Sequence, residues 1–357
     1  MRKAATLLCL GLASAPGAYA ADEVAVYGLI DLGLSWFSST AAAGGGEQSM
    51  LRVDSGIAQS SRLGFRGSED LGGGSSLFFT LETGFAADTG ALGQGGLLFG
   101  RQALVGVRNE RFGTLSVGRQ YDFMSNLGVG YALGTNSAAG SFAWGLHADA
   151  ANGAVLNNHV YVGDRSNNSI RYQTPIVGGF SAGVMLGLGE SADSFAAGRT
   201  VSGMATYAAG RFSVGSAFTT IRSASGADST RIAGLGSSYA FDGFKLWGLA
   251  TQVEASASEA SANDKRASTV EIGATRPLTP QLDLSGAVQF QRRSPDAGDA
   301  KALVAVLGYK LSRRSDVYLS GVYARDEGYA AYPVFGGGVQ SADGVQSAVR
   351  VGLRHRF

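Results

Sequence analysis

Residues 61–85 read SRLGFRGSEDLGGGSSLFFTLETGF, and this stretch decides how the rest of the chain is taken. It divides into two runs of about ten residues around Asp-Leu-Gly-Gly-Gly, a glycine-rich break of the kind that joins antiparallel strands. In the first run Leu63 and Phe65 alternate with Arg62, Gly64 and Arg66. In the second, Leu77, Phe79, Leu81, Thr83 and Phe85 alternate with Ser76, Phe78, Thr80, Glu82 and Gly84. Successive side chains of a strand point to opposite faces, so each run has one apolar face and one small or charged face. A soluble sandwich buries the apolar face and wets the other. A membrane barrel turns the apolar face to lipid and lines a watery lumen with the polar one.

The remainder of the chain favours the barrel. Of 357 residues 54 are Gly and only 6 are Pro, with no collagen period, which excludes a fibrous polymer and suits curved walls around an open lumen. No linker, charge block or shift of composition divides it, so a single domain is expected over residues 21–357. Residues 1–20 carry the marks of a secretory signal: Arg2 and Lys3, an apolar run, and Ala18-Tyr19-Ala20 as a small-x-small cleavage site. The only cysteine, Cys9, lies inside it, so the mature chain would hold no disulfide. Without Arg2 and Lys3 the 29 basic residues become 27 against 28 acidic ones, a near-neutral balance that offers no case for nucleic-acid binding. No apolar run reaches the length of a spanning helix.

Alternation recurs from end to end. Val24, Val26, Ile30, Leu32, Leu34 and Trp36 share one face of the first strand, opposite Tyr27, Asp31, Gly33 and Ser35. Residues 99–108 and 113–118 form the next pair, where Arg119 has the parity of Leu115 and Val117, so a bulge or strand end must release it. A long segment over residues 122–163, rich in Gly, Ala, Ser and Asn, interrupts the pattern, and structureless segments of that length are rare in compact domains unless functional. Alternation then resumes and continues to Val349, Val351, Leu353, His355 and Phe357 against Ala348, Arg350, Gly352, Arg354 and Arg356. The count is sixteen antiparallel strands, with short turns on one rim and longer loops on the other. That predicts an all-β transmembrane barrel, closed because a membrane tolerates no free sheet edge. Phe357, ending an amphipathic strand, reads as a signal for barrel assembly. Trp36, Phe85, Phe99, Trp247, Tyr318 and Tyr323 are candidates for an interfacial aromatic girdle.

Parity places Arg62, Arg66, Arg101, Arg171, Arg350 and Arg354 on the luminal face, with Asp31, Glu82, Glu271 and Asp283 as luminal acids. Charges on opposite walls of a narrow aqueous gap select ions by field as well as by size. The histidines, His147, His159 and His355, lack any metal-ligand spacing, and no HExxH, GxSxG or P-loop pattern is present, so no cofactor is expected.

Several stretches together resemble the general porins of Gram-negative bacteria, of the beta-proteobacterial kind: VAVYGLIDLGL, SRLGFRGSEDLGGG, FGRQALVGV, FGTLSVGRQYD, NNSIRYQTP followed by GGF, and the terminal Phe357. The resemblance spans nearly the whole mature chain. It implies an outer-membrane homotrimer that passes small hydrophilic solutes and ions passively, delivered to the lipid by the barrel-assembly machinery. It also implies that the third loop, residues 122–163, folds into the pore, where Arg62, Arg66 and Arg101 on the wall, with Arg171 on the following strand, face the loop. The loop departs from the family pattern in having few acids, Asp122 and Asp149 with Asp164 just beyond, which argues against a strongly acidic eyelet; with the charge balance positive near residues 61–85, an anion-preferring or weakly selective channel is expected. Alternatives are a channel selective for sugars or organic anions, using Tyr131, Phe142 and Trp144 of the loop, and, more distantly, a barrel enzyme or an adhesin.

Overall fold

The computed structural model describes residues 23–42, 44–143, 165–192, 194–256, 266–293, 298–327 and 341–357. The expected signal segment, residues 1–20, lies outside them. The chain opens with β1 (Glu23–Ala41), β2 (Glu47–Ser55), β3 (Arg62–Gly72) and β4 (Ser75–Gly84). Next come β5 (Gln102–Asn109), β6 (Gly113–Tyr121) and two short helices, α1 (Phe123–Tyr131) and α2 (Leu133–Asn136). The middle holds β7 (Arg165–Gln173), β8 (Phe180–Gly187), β9 (Thr200–Ala209), β10 (Phe212–Arg222), β11 (Ser229–Phe241) and β12 (Phe244–Ala255). The last are β13 (Arg266–Pro277), β14 (Leu282–Arg293), β15 (Asp299–Lys310), β16 (Ser315–Asp326) and β17 (Val345–Arg356).

Neighbouring strands pair antiparallel throughout, and the sheet closes on itself. Leu29 to Phe37 of β1 lies opposite Arg356 to Ala348 of β17. The other side of β1 pairs with both β2 and β3: Leu32 faces Ser55 and Leu29 faces Arg62. Between those pairs Ile30 and Asp31 face the inserted residues 56–61, so β2 and β3 are two halves of one wall strand split by a wide bulge. The 17 segments of the sheet therefore form sixteen wall strands. The sequence count reached the same number, but it started the second wall strand at Ser61 and passed over β2. Connections of residues 73–74, 110–112, 210–211 and 242–243 alternate with the longer 85–101, 122–164, 188–199 and 327–344. The bulge expected near Arg119 is present as a register shift between Gly118 and Gln120.

Polarity is inverted relative to a soluble sheet. Val24, Val26, Leu34, Val105, Val184, Leu235, Ile272, Leu303 and Val351 are exposed on the outer wall, whereas Ser35, Glu82, Thr219, Thr269, Gln289, Ser320 and Arg350 are buried on the inner one. That is the pattern of a barrel solvated by lipid. No helix among the described residues is long and apolar enough to cross a membrane. Trp36 and Tyr323 do stand on the outer wall, but two girdle candidates do not. Trp247 and Tyr318 turn inward, where their polar ends donate to Glu271 Oε1 at 3.3 Å and Asp31 Oδ1 at 2.6 Å. Exposed aromatics collect instead at the short-turn rim, where Tyr239, Phe241 and Phe244 stack with ring centroids 4.6 and 4.7 Å apart.

The segment after β6 enters the lumen. Asp122 caps α1 by accepting from Ser125 N at 2.8 Å and is itself pinned by Thr219 Oγ1 at 2.7 Å. Phe123, Met124, Leu127 and Tyr131 then pack against Met185, Ala217, Ile232, Leu249 and Val253 of the inner wall. Glu271 Oε1 receives Leu133 N at 2.6 Å where α2 begins. Further along, Leu133, Ala139 and Phe142 pack on Val304, Val306, Tyr318 and Val322. Ser141 N donates to Ile57 O of the β2–β3 bulge at 2.7 Å. Gly140, at φ +49°, presses on the backbone of Ile57 and Ala58, a place where a β-carbon would overlap it. The loop thus covers the inner wall from β8 round to β17 with an apolar core of its own. It also reaches β1, where Phe142 meets Phe37 with ring centroids 5.9 Å apart; among the described residues, β3 to β6 take no part in these apolar clusters.

Candidate pore constriction

On the arc from β3 to β6 the site begins with a missing side chain. Tyr27 of β1, Gly64 of β3 and Glu82 of β4 stand side by side across three strands. A β-carbon at Gly64 would run into the Tyr27 ring, so glycine lets the ring lie flat over β3. Lying there, Tyr27 donates its hydroxyl to Glu82 Oε2 at 2.9 Å. Arg62 and Arg66 share the face of Gly64 on either side of it. Arg62 Nε is 4.0 Å from Glu82 Oε2, and the Arg66 guanidinium sits 5.1 Å from the Tyr27 ring centroid.

Arg101, immediately before β5, closes the group from the other side. Its Nε lies 2.7 Å from Glu82 Oε1, and the side chain is only 6% exposed. Its second amino group donates to Tyr121 Oη at 2.7 Å, and Arg165 does the same at 2.6 Å while stacking 4.5 Å from the Tyr121 ring centroid. Arg62 and Arg101 thereby flank the carboxylate of Glu82, Arg66 lies against the Tyr27 ring, and Arg101 and Arg165 share the Tyr121 hydroxyl as acceptor. Pairing of this kind locks rotamers without neutralising the group, because the guanidinium charges outnumber the carboxylate. The chemistry on offer is a rigid positive wall able to give N–H bonds to a passing anion and to repel cations.

The other residues singled out by sequence are elsewhere. Arg171 stacks 4.1 Å from the Phe123 ring and donates to Tyr121 O at 3.3 Å, so it supports the root of the loop. Asp122 is fully buried as the helix cap. Asp31 is fully buried too, accepting from Ala58 N at 2.7 Å, Gln59 N at 3.1 Å and Tyr318 Oη, with Arg350 at 3.7 Å. Arg350 continues that network to Ser35 Oγ at 2.9 Å and to the Asp54 carboxylate, while Arg354 pairs with Asp316 at 3.0 Å. Asp31 and Arg350 therefore hold the bulge that docks the loop tip. Asp149 lies outside the described residues, as do His147, His159, Trp144 and Asp164. Phe357 completes the barrel seam through Phe357 N to Gly28 O at 3.2 Å and Gly28 N to Phe357 O at 3.1 Å.

Arg165, Tyr27 and Tyr121 are the members that sequence reasoning did not select. Tyr27 had the right parity and lacked only a charge. Arg165 was hidden by Asn168, whose φ of +49° lets the bulge opposite Gly118 shift the alternation between Ile170 and Arg165. Among the described residues no group of His, Cys, Asp and Glu is arranged to hold a metal ion.

Residues 4–329 match the sequence profile of the Gram-negative porins. The chain is 31% identical over 368 residues to outer membrane porin protein 32 of Delftia acidovorans, covering 99% of each. It is 28% identical over 403 residues to an outer membrane porin protein of Bordetella pertussis, covering 99% of this chain and 98% of that one. Among solved structures, an anion-selective porin from Comamonas acidovorans matches with a TM-score of 0.78 at 25% identity, over 94% of this chain and 100% of the other. OmpT, an outer membrane protein of Vibrio cholerae, matches in fold with a TM-score of 0.67 at 13% identity, over 95% and 99%.

Proposed function

The chain belongs to the Gram-negative porin family, and from that premise we propose that it is an anion-preferring diffusion channel whose selectivity is set by Arg62, Arg66, Arg101 and Arg165 around Glu82. It is an outer-membrane porin, and small hydrophilic solutes and ions are its traffic. The observation that carries the anion preference is the asymmetry of the lumen. Among the described residues the loop lays apolar side chains on the wall from β8 round to β1, and its apolar clusters include none of Arg62, Arg66, Arg101 and Arg165, which supports these arginines as the lining of the aqueous path. The similarity to an anion-selective porin supports the same sign.

In this reading no reaction is catalysed. Asp31, Asp122 and Arg171 shape the constriction by holding the loop, and Asp149 would modulate the field from the loop itself. Residues 1–20 are removed on export, residues 21–357 form the barrel, Phe357 presents the terminal strand to the assembly machinery, and the barrels associate as homotrimers in the lipid. A second reading, selectivity for organic anions, is favoured by one feature: the Tyr121 hydroxyl and the guanidiniums of Arg101 and Arg165 converge, a geometry suited to a carboxylate.

The test is swelling of liposomes containing the refolded protein. Entry of neutral sugars should fall with solute size, and the sodium salts of small carboxylic acids should enter faster than chloride salts of amines of equal size. Swelling no faster than in protein-free liposomes would end the channel reading. Faster entry of the amines would reverse the assigned sign. Saturation by one carboxylate alone would favour the second reading.

A further inference from the structure

On the short-turn side of the loop lies a cavity of about 380 Å³ that the arginine cluster does not use. Its wall is a row of three side chains next to the turn at residues 242–243. Ala240 of β11 stands opposite Lys245 of β12, and Thr275 of β13 stands opposite Lys245 on the other side. Two residues further along β12, on the same face, Trp247 lines the inner end. Its indole lies over Gly273, where a β-carbon would run into the ring, and its Nε1 donates to Glu271 Oε1 at 3.3 Å. The loop supplies the remaining side with Gly130 of α1 and Asn136 of α2. A β-carbon at Gly130 would meet nothing within 4 Å, so the loop stands clear of the wall there.

The charge of this cavity is uncompensated. Among the described residues Lys245 has neither an ion pair nor a hydrogen bond. The two nearest acids in the register are committed elsewhere. Asp242, in the adjoining turn, pairs with Arg211 at 2.6 Å. Glu271 already accepts from Leu133 N at 2.6 Å, from Gln289 Nε2 at 2.6 Å and from Trp247. Asn136 spends its amide group on Ala132 O at 2.7 Å, and its side-chain oxygen accepts nothing among the described residues. A lone ammonium at the edge of an apolar pocket draws an anion, and a cavity of this size with few convergent polar groups has the form of a small-ligand site.

We propose that this cavity binds a small aryl carboxylate, with its carboxylate on the Lys245 ammonium and its ring against Trp247. Charge selects the anion. The indole and the apolar volume select the ring, which acetate or an inorganic anion would leave unfilled. The site is separate from the arginine cluster, since it is built on β11 to β13 and the loop, whereas Arg62, Arg66, Arg101 and Arg165 stand on the arc from β3 to β7. It requires only the fold, so its test does not depend on conduction.

The experiment is saturation-transfer NMR of the full-length protein in a nonionic detergent, titrated with benzoate and read against protein-free micelles. The wild type should bind benzoate about tenfold or more tighter than benzyl alcohol, which lacks the charge, and than acetate, which lacks the ring. K245Q should lose the preference for benzoate over benzyl alcohol. A240W, which fills the cavity from β11 and keeps the lysine, should lose both ligands and serves if K245Q fails to fold. R66Q should bind benzoate as the wild type does. Equal affinity for benzoate and benzyl alcohol, or for benzoate and acetate, would overturn the proposal. So would a folded K245Q or A240W that keeps the preference, or a benzoate signal no larger than that of the micelles alone. Loss of binding in R66Q with retention in K245Q would place the ligand at the arginine cluster and overturn it likewise.

Discussion

Replacing Arg66 with Gln removes one wall charge at little structural cost, because Arg66 is exposed and its side chain rests on the face of Tyr27 at 5.1 Å. For an ion passing about 6 Å away in water the Coulomb energy of one charge is roughly 0.7 kcal/mol, and screening in 0.1 M salt reduces it to about 0.4 kcal/mol. Chloride loses that stabilisation while potassium is relieved of the same repulsion, so their difference changes by about 0.8 kcal/mol, or roughly fourfold in permeability ratio. The assay is the zero-current potential of R66Q against wild type in a planar bilayer under a tenfold KCl gradient, an arrangement insensitive to the number of channels inserted. A chloride-to-potassium ratio reduced roughly fourfold is expected. E82Q, which withdraws the carboxylate from the same group, should move the ratio the other way. An unchanged ratio in both variants would refute the assignment of the arginine arc to the aqueous path, and a shift towards chloride in R66Q would refute its sign.

Arg350→Met should leave conductance sign and selectivity intact but destabilise the barrel by about 3–5 kcal/mol, since it strands Asp31 and Asp54 in a buried network; denaturant unfolding from micelles measures this. Gly140→Val cannot adopt the φ of +49° beside the Ile57 and Ala58 backbone, so the loop tip should undock and single-channel records should show larger, noisier conductance. Gly64→Val should lift the Tyr27 ring off β3, breaking its bond to Glu82 and lowering the chloride preference without affecting heat-modifiable migration on gels. Raising KCl from 0.1 to 1 M shortens the screening length from about 10 to about 3 Å, so the chloride preference of the wild type should weaken with salt.

The walls were legible because lipid outside and water inside impose a period of two with inverted polarity, and Val24 to Trp36 or Val349 to Phe357 display it without interruption. The arginines of the second wall strand were legible by the same parity. What parity could not reveal was that part of the lumen is dry. Trp247, Leu249 and Val253 point inward because α1 and α2 give them an apolar partner there, so Trp247 was misread as a lipid-facing aromatic. Tyr318 was misread for a related reason, its hydroxyl serving the buried Asp31. The bulge at residues 56–61 was invisible since its role is to meet Asp31 and Ser141, contacts distant in sequence. Asp31 and Glu82 illustrate the limit: both are luminal by parity, yet one anchors the bulge and the other organises the arginines. Only the partners across the barrel distinguish them.

The most direct test of the central claim is the reversal potential of the wild-type protein itself, reconstituted in a neutral-lipid planar bilayer under a KCl gradient at low salt. A potential displaced towards chloride equilibrium is predicted from the arginine arc around Glu82. A potential displaced towards potassium equilibrium would contradict it, because the aqueous path would then be lined by carboxylates rather than by Arg62, Arg66, Arg101 and Arg165.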